Sequence, residues 1–357
     1  MSRNILKWAV GAAVLTMSMA VQAASNGVVV SVAPEKSSLG KTDDVVVTVT
    51  FTNTTNSPQY VLKSHTPFEG VDAPLFEVTR DGGKVRYLGA VAKRAAPTAA
   101  DYYLLKPGAS HSVKVELSSL YDMATTGDYE IRYRTASPQL LKDAKEAAEL
   151  KSEAATVWID GQRPRGSLDE TKTLAEMQAQ AGTVSAAGGA LAFNKCTASQ
   201  QADISSAVSA ALSMATSGDT YMAKTSMGPR YTKWFGAVDS GRVATVKAHF
   251  AAIKDAFATK PITVDCGCKK TYYAYVYPTQ PYTIYVCKAF WSAPMTGTDS
   301  KGGTLVHEMS HFNVVAGTDD WVYGQSGAAS LAISNPAQAI DNADSHEYFG
   351  ENTPALQ

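Results

Sequence analysis

Residues Thr304 to Gly324 read TLVHEMSHFNVVAGTDDWVYG. His307 and His311 stand four apart, and on a helix this spacing sets both imidazoles on one face, with β-carbons about 5–6 Å from each other. Glu308 follows the first histidine, so the stretch carries the pattern H-E-x-x-H. Leu305, Val306, Met309 and Phe312 surround the histidines with apolar side chains, as in a helix buried on one side with polar groups turned to a cleft. Gly317 is suited to stop that helix and turn the chain back, bringing Asp319, Asp320 and Tyr323 toward the histidine face.

The spacing has a chemical reason. Two neutral imidazoles at about 2.0–2.1 Å supply half of a tetrahedral zinc shell, leaving one position for a third protein ligand and one for water. Zinc lowers the pKa of that water from roughly 15.7 to about 7. Glu308, beside the first ligand but pointing off the metal, is placed to take the water's proton and later pass it to a leaving amine. One of the two aspartates is the natural third ligand. Each residue also has an ordinary use: histidines pack in cores, aspartates cap turns, and tyrosines fill space. The joint pattern at a workable spacing is what favours a metal site.

Gly317, Thr318, Asp320, Tyr323 and Gly324 spell G-T-x-D-x-x-Y-G, and with H-E-x-x-H this resembles the signature of the aspzincin family, the deuterolysins and peptidyl-Lys metalloendopeptidases. The resemblance implies one zinc ion per chain held by His307, His311 and Asp320, with Glu308 as general base and Tyr323 stabilising the tetrahedral intermediate. Asp319 is then left as a solvated turn residue. Asn342 to Tyr348, NADSHEY, resembles the family's late N-A-D-x-x-E-Y segment. That implies that Asp344 and Glu347 line the pocket for the residue after the scissile bond, as in Lys-selective members. A solvated acidic helix end is the plainer reading of the same residues, and His346 between them is expected to be structural.

The rest of the chain has to be read around this site. At 357 residues it exceeds a typical single domain, and a formal charge of −1 with 18% charged residues favours neither nucleic acid nor an acidic partner. Arg3 and Lys7 precede an apolar run from Trp8 to Met19 and a small-residue site ending at Ala23, the pattern of a secretory signal over residues 1–23. The run is too short for a comfortable membrane span, and no later stretch approaches one. The mature protein is expected to be exported, without a membrane span, and monomeric.

Residues 24–160 read as strands. Val45, Val47, Val49 and Phe51 alternate with Val46, Thr48, Thr50 and Thr52, the period of a strand with one face in a core. Further strands are expected at Val28–Ala33, at Phe76–Val78 turning through Asp81-Gly82-Gly83 into Val85–Leu88, and at Val113–Leu117, Tyr129–Arg134 and Ala155–Ile159. Short strands spaced by turns point to an all-β Ig-like sandwich, and Gly127-Asp128-Tyr129 resembles a tyrosine corner. Leu141–Glu153, rich in Ala, Lys and Glu, reads as a helical excursion. His65 and His111 are isolated and read as packing or surface residues, while Asn53-Thr54-Thr55 matches a glycosylation acceptor.

Residues 161–190 read as a cleavable linker: Arg163-Pro164-Arg165-Gly166 breaks structure, Leu168–Ala181 forms a loose helix, and Gly182–Ala190 is mostly small residues. Residues 191–357 then form an α+β zincin-like domain. Thr197 and Gln200 make a capping box ahead of one helix, and Val243, Val246, Phe250, Ile253 and Phe257 mark a second. Strands follow at Ile262–Val264, Tyr272–Tyr277 and Thr283–Val286. In the zincin arrangement an edge strand beside the cleft binds extended substrate backbone. All four cysteines lie in this half, and an exported chain favours disulfides. Joining Cys266 to Cys268 would be strained, which leaves two connectivities; the family resemblance implies Cys196–Cys266 and Cys268–Cys287.

Together these readings describe a secreted zinc metalloendopeptidase that acts on protein and peptide substrates before lysine. Its β-rich front domain is expected to serve as a propeptide, an intramolecular inhibitor or folding assistant, and linker cleavage at Lys172 or Lys195 to separate it. The alternative is a secreted adhesion protein whose Ig-like domain is joined to a module with a closed, structural metal site.

Overall fold

The computed structural model describes residues 27–143, 148–161, 182–185 and 189–357. The expected signal segment and the Leu168–Ala181 helix lie outside them.

The described residues of the front half are mostly strands, with short 3-10 turns at Lys63–His65 and Ala99–Asp101. Val46–Asn53 pairs antiparallel with Val28–Pro34 on one side and Ser110–Glu116 on the other. Val47, Val49 and Phe51 point into the core, while Thr50 and Thr52 pair hydroxyls with Ser112 and Ser110 at 2.8 Å on the outer face. A second sheet is centred on Gly127–Ser137, flanked by Phe76–Arg80 and Ala155–Ile159. Phe51, Val78, Ile131, Tyr133 and Val157 belong to one shared core between the two sheets. The Tyr129 hydroxyl donates to the Thr125 carbonyl at 2.6 Å, tying the start of its strand to the chain four residues upstream.

Several expectations for this half are corrected. Among the described residues of Leu141–Glu153 there is no helix: Ala148–Lys151 is a strand on Gly127–Ser137, with Ala148 and Leu150 buried and Glu149 and Lys151 exposed. Period-two burial in the core outweighs the helix propensity of Ala, Lys and Glu. Phe76–Arg80 does turn at Asp81-Gly82, but the return strand is only Gly83–Lys84, and Tyr87 leaves that ladder to bridge Tyr121. Asn53 is fully buried and its amide donates to the carbonyls of Ser57 and Leu105, so the possible glycosylation acceptor is a packing residue. His65 is buried with Nδ1 2.6 Å from the Thr135 hydroxyl, and burial lowers its pKa to about 4.

The second half mixes helices with a sheet. Thr197 and Gln200 form the expected capping box at the head of Ala198–Met222. That helix packs against Ser240–Thr259 and against the histidine helix, Lys301–His311, which also lies on Ala343–Glu351. The sheet runs in the order Gly182–Ser185, Ala190–Asn194, Ile262–Asp265, Thr283–Val286, Ala274–Val276 and Val91–Lys93. Both edges depart from expectation. Gly182–Ser185, assigned to the linker, pairs antiparallel with Ala190–Asn194, since ladder hydrogen bonds use the backbone that every residue carries. The opposite edge comes from the front half: Val91–Lys93 lies antiparallel to Ala274–Val276, where no strand was expected. Disulfides join Cys196 to Cys266 and Cys268 to Cys287. Among the described residues no helix is long and apolar enough to cross a membrane.

Gly218 allows the first long helix to approach the second, because a β-carbon there would sit 2.4 Å from the Phe250 ring. Replacing glycine in a helix gains up to about 1 kcal/mol, whereas overpacking a core costs about 1–3 kcal/mol. Gly218→Ala should therefore lower stability by about 1 kcal/mol, read from the urea midpoint; a raised midpoint would show that Phe250 gives way freely.

Candidate metal centre

The site is built on the helix Lys301–His311, whose residues are all buried. Ser300 caps it: the Ser300 hydroxyl accepts from the Gly303 N–H at 2.9 Å and donates to Glu351 Oε1 at 2.7 Å. Leu305, Val306 and Met309 enter the core, leaving His307, Glu308 and His311 on the opposite face. The helix ends at His311, not at Gly317, as Phe312 turns extended and buries its ring. Gly317 instead closes the following turn at φ +62°, its N–H donating to the Phe312 carbonyl at 3.1 Å. The chain then returns along Asp341–Ala343: the Asp319 N–H donates to the Asp341 carbonyl and the Ala343 N–H to the Asp319 carbonyl. Asp319 is therefore half-buried and pinned through its backbone, not a solvated turn residue, and burial raises its carboxyl pKa.

That return carries Asp320 onto the two histidines. His307 Nε2 and His311 Nε2 are 3.1 Å apart, and Asp320 Oδ1 lies 3.1 Å from the first and 3.4 Å from the second. His311 Nδ1 is 2.6 Å from the Thr318 carbonyl, so that ring carries a proton on Nδ1, and His307 Nδ1 faces Asp344 Oδ1 at 2.9 Å. The two Nε2 atoms and a carboxylate oxygen that receives no hydrogen bond thus face one another across a buried triangle. Ligands about 2.0–2.1 Å from a tetrahedral zinc are separated by roughly 3.3–3.4 Å, so the triangle fits such an ion. The electrostatics agree. Burial alone would push Asp320 up and the imidazoles down, yet the contact reverses both, holding Asp320 well below its usual range and raising His307 and His311. A site that draws in positive charge in this way suits a cation.

Glu308 stands beside the triangle. Burial raises its pKa to about 7 against the opposing pull of the histidines, and its Oε2 has no hydrogen-bond partner. Its Oε1 accepts from the Lys93 backbone N–H at 3.3 Å. The Tyr323 hydroxyl is 3.0 Å from Asp320 Oδ2 and 2.8 Å from the Ala92 carbonyl oxygen. The peptide bond between Ala92 and Lys93 therefore spans the two groups, its carbonyl at the phenol and its N–H at the carboxylate.

The Lys93 side chain continues into a pocket behind the helix. Its fully buried ammonium lies 2.5 Å from Glu347 Oε2, 3.2 Å from Asp344 Oδ1 and 3.4 Å from Asp299 Oδ1, between the rings of Tyr273 and Tyr348. Burial alone would lower the lysine pKa, but the three carboxylates outweigh it and raise the value well above the usual one. Asp344 has further duties: besides meeting His307, its Oδ2 accepts from the Gly324 N–H at 2.7 Å. One carboxylate thus joins the lysine pocket, a histidine of the triangle and the loop bearing Tyr323.

The structure brings together His307, Glu308, His311, Asp320, Tyr323, Asp344 and Glu347. His346 turns away, pairing with His249 at 3.0 Å and with the Asn342 carbonyl. Sequence reasoning missed Asp299, Lys93 and Gln139. The last clasps the Tyr323 backbone from the front half, its amide nitrogen 3.0 Å from the Tyr323 carbonyl and its amide oxygen 3.1 Å from the Tyr323 N–H. Nothing in the local sequence marks Lys93 or Gln139; for Asp299, its place just before the Ser300 cap was a weak signal.

A family model described as lysine-specific metallo-endopeptidase matches residues 220–351. An extracellular protease of Aeromonas hydrophila is 49% identical over 320 residues, covering 88% of this chain and 90% of its own length. A peptidyl-Lys metalloendopeptidase of Armillaria mellea is 36% identical over 354 residues, covering 92% of this chain and 95% of its own. Among solved structures, a zinc peptidase from Grifola frondosa is 46% identical over 45% of this chain and all of its own, with a TM-score of 0.44.

Asp320→Ala should weaken zinc binding by more than the roughly 10–100-fold typical of losing an outer-shell partner, measured by competition with a chromophoric chelator. Tight stoichiometric zinc in that variant would rule Asp320 out as a ligand.

Proposed function

The chain belongs to the aspzincin family of metalloendopeptidases, and from that premise we propose a zinc enzyme that hydrolyses protein chains before lysine, made as a secreted precursor with an inhibitory front domain. The observation that carries the reading is the Ala92–Lys93 segment: extended along an edge strand, its carbonyl at Tyr323, its N–H at Glu308 and its ammonium among three carboxylates. A lysine-bearing substrate presents the same groups. Family membership sets aside the alternative of an adhesion protein with a closed metal site.

His307, His311 and Asp320 would hold the ion, which when bound supplies a water of lowered pKa and polarises the carbonyl. The chain's own residues do the rest. The edge strand Ala274–Val276 holds the substrate backbone, and Asp344, Glu347 and Asp299 hold the lysine ammonium. Glu308 takes the water's proton and carries it to the leaving nitrogen. Tyr323 donates to the oxygen on which negative charge develops. His311 is kept in the required tautomer by the Thr318 carbonyl, and Asp344 lies against the outer nitrogen of His307.

Residues 24–160 act in this reading as an Ig-like prodomain, supported by two sheets around one core and by the Tyr129–Thr125 hydrogen bond. Residues 161–190 join it to the enzyme. Because Val91–Lys93 fills the substrate strand position, the precursor is closed to other chains, and Gln139 holds the catalytic loop from the same side.

Glu308→Ala should lower kcat on denatured casein by about 10²–10⁴-fold while zinc content stays stoichiometric; normal turnover would end the mechanism. Glu347→Gln should lower kcat/KM for lysine substrates by about 30-fold, since removing one partner of a buried ion pair costs about 2 kcal/mol or more. Unchanged lysine preference would move the pocket elsewhere.

A further inference from the structure

We propose that the precursor cuts its own Ala92–Lys93 bond and that the nicked front domain stays in place. The inference rests on the Lys-directed peptidase reading and adds a processing site inside the front domain, distinct from any cut in the linker. A segment that merely plugs a cleft need not align a peptide bond with the reacting groups. Here the alignment is that of a substrate: the Ala92 carbonyl oxygen is 2.8 Å from the Tyr323 hydroxyl, and the next N–H, that of Lys93, points to Glu308 at 3.3 Å. The register fixes this from both sides, with Ala274 opposite Lys93, Tyr275 opposite Ala92 and Val276 opposite Val91. The Tyr273 N–H also donates to the Lys93 carbonyl at 3.1 Å.

The step balances within the site. Water adds through oxygen to the Ala92 carbonyl carbon as Glu308 takes one of its protons. Glu308 passes that proton to the Lys93 nitrogen and the carbon–nitrogen bond breaks; the acid formed at Ala92 then gives up water's second proton to the new amine, so the products are a carboxylate at Ala92 and an ammonium at Lys93. Release does not follow, because the strands on either side of the cut are interleaved. Val46–Asn53 pairs with Ser110–Glu116, Gln59–Leu62 with Tyr102–Leu105, and Phe76–Arg80 with Gly127–Ser137, each pairing joining the two fragments. Arg94, next after the new amine, remains stacked 4.3 Å over the Tyr272 ring and paired with Asp72 at 3.4 Å. The cleft is still filled, so a cut at Lys172 or Lys195 falls to a molecule whose front domain has already been released.

The test uses the full zinc-loaded precursor, its Glu308→Ala variant and its Lys93→Gln variant, followed by intact mass under denaturing conditions and by gel filtration under native ones. The expected result for the wild type is a fragment ending at Ala92 and another beginning at Lys93, eluting together as one species and formed at a rate independent of dilution. Glu308→Ala remains uncut, and Lys93→Gln is nicked at least about 30-fold more slowly. Protection of Lys93 from an amine-reactive label in the Glu308→Ala precursor, while exposed Lys106 and Lys114 react, checks that the variant keeps the same seating. A precursor whose Ala92–Lys93 bond stays intact, but which cuts denatured casein before lysines once an added protease has cut its linker and the front domain has been separated, overturns this inference and leaves the enzyme reading standing. A preparation that leaves Ala92–Lys93 intact and still cuts no casein after that separation overturns both.

Discussion

A lysine ammonium with no access to solvent is the constraint around which the two halves of the molecule are arranged. Removing such a charge from water costs several kcal/mol, and only well-placed opposite charges and hydrogen bonds offset that cost. Lys93 meets Glu347, Asp344 and Asp299 at 2.5–3.4 Å. The carboxylates are no less constrained, since Asp344 and Glu347 are themselves fully buried, and their mutual repulsion is relieved by the ammonium and by His307. The front strand and the pocket therefore stabilise each other.

The same carboxylates connect the lysine pocket to the histidine–aspartate triangle. Asp344 touches Lys93, His307 Nδ1 and the Gly324 N–H, so the lysine pocket, the histidine–aspartate triangle and the Tyr323 loop share one side chain. His307 divides its ring between the two tasks, Nε2 toward the triangle and Nδ1 toward the pocket. A substitution at Asp344 would perturb both, whereas Asp299, part-exposed and held by the Tyr348 hydroxyl at 2.7 Å, touches the ammonium without contacting the triangle.

Much of the protein was legible in its order of residues, for local reasons. The alternation of Val47, Val49 and Phe51 with threonines fixed a strand and its buried face. The Thr197–Gln200 box fixed the start of a helix. Propensity failed at Ala148–Lys151, where packing of Ala148 and Leu150 against a neighbouring strand outweighed a helix-forming composition. It failed again at Gly182–Ser185, whose small residues read as linker but whose backbone completes a sheet edge.

The candidate metal site was specified by sequence because its parts are close along the chain. Four residues of helix bring His307 over His311, and one turn brings Asp320 to both. Tertiary structure decided what fills the cleft. Lys93 lies 215 residues from the Glu308 it faces, and Gln139 lies 184 from the Tyr323 it clasps. No local periodicity records such pairings, because their geometry exists only once the front sheets and the histidine helix have packed together. The residues able to hold the ion were thus written in one short stretch; the strand lying across them was set by the fold.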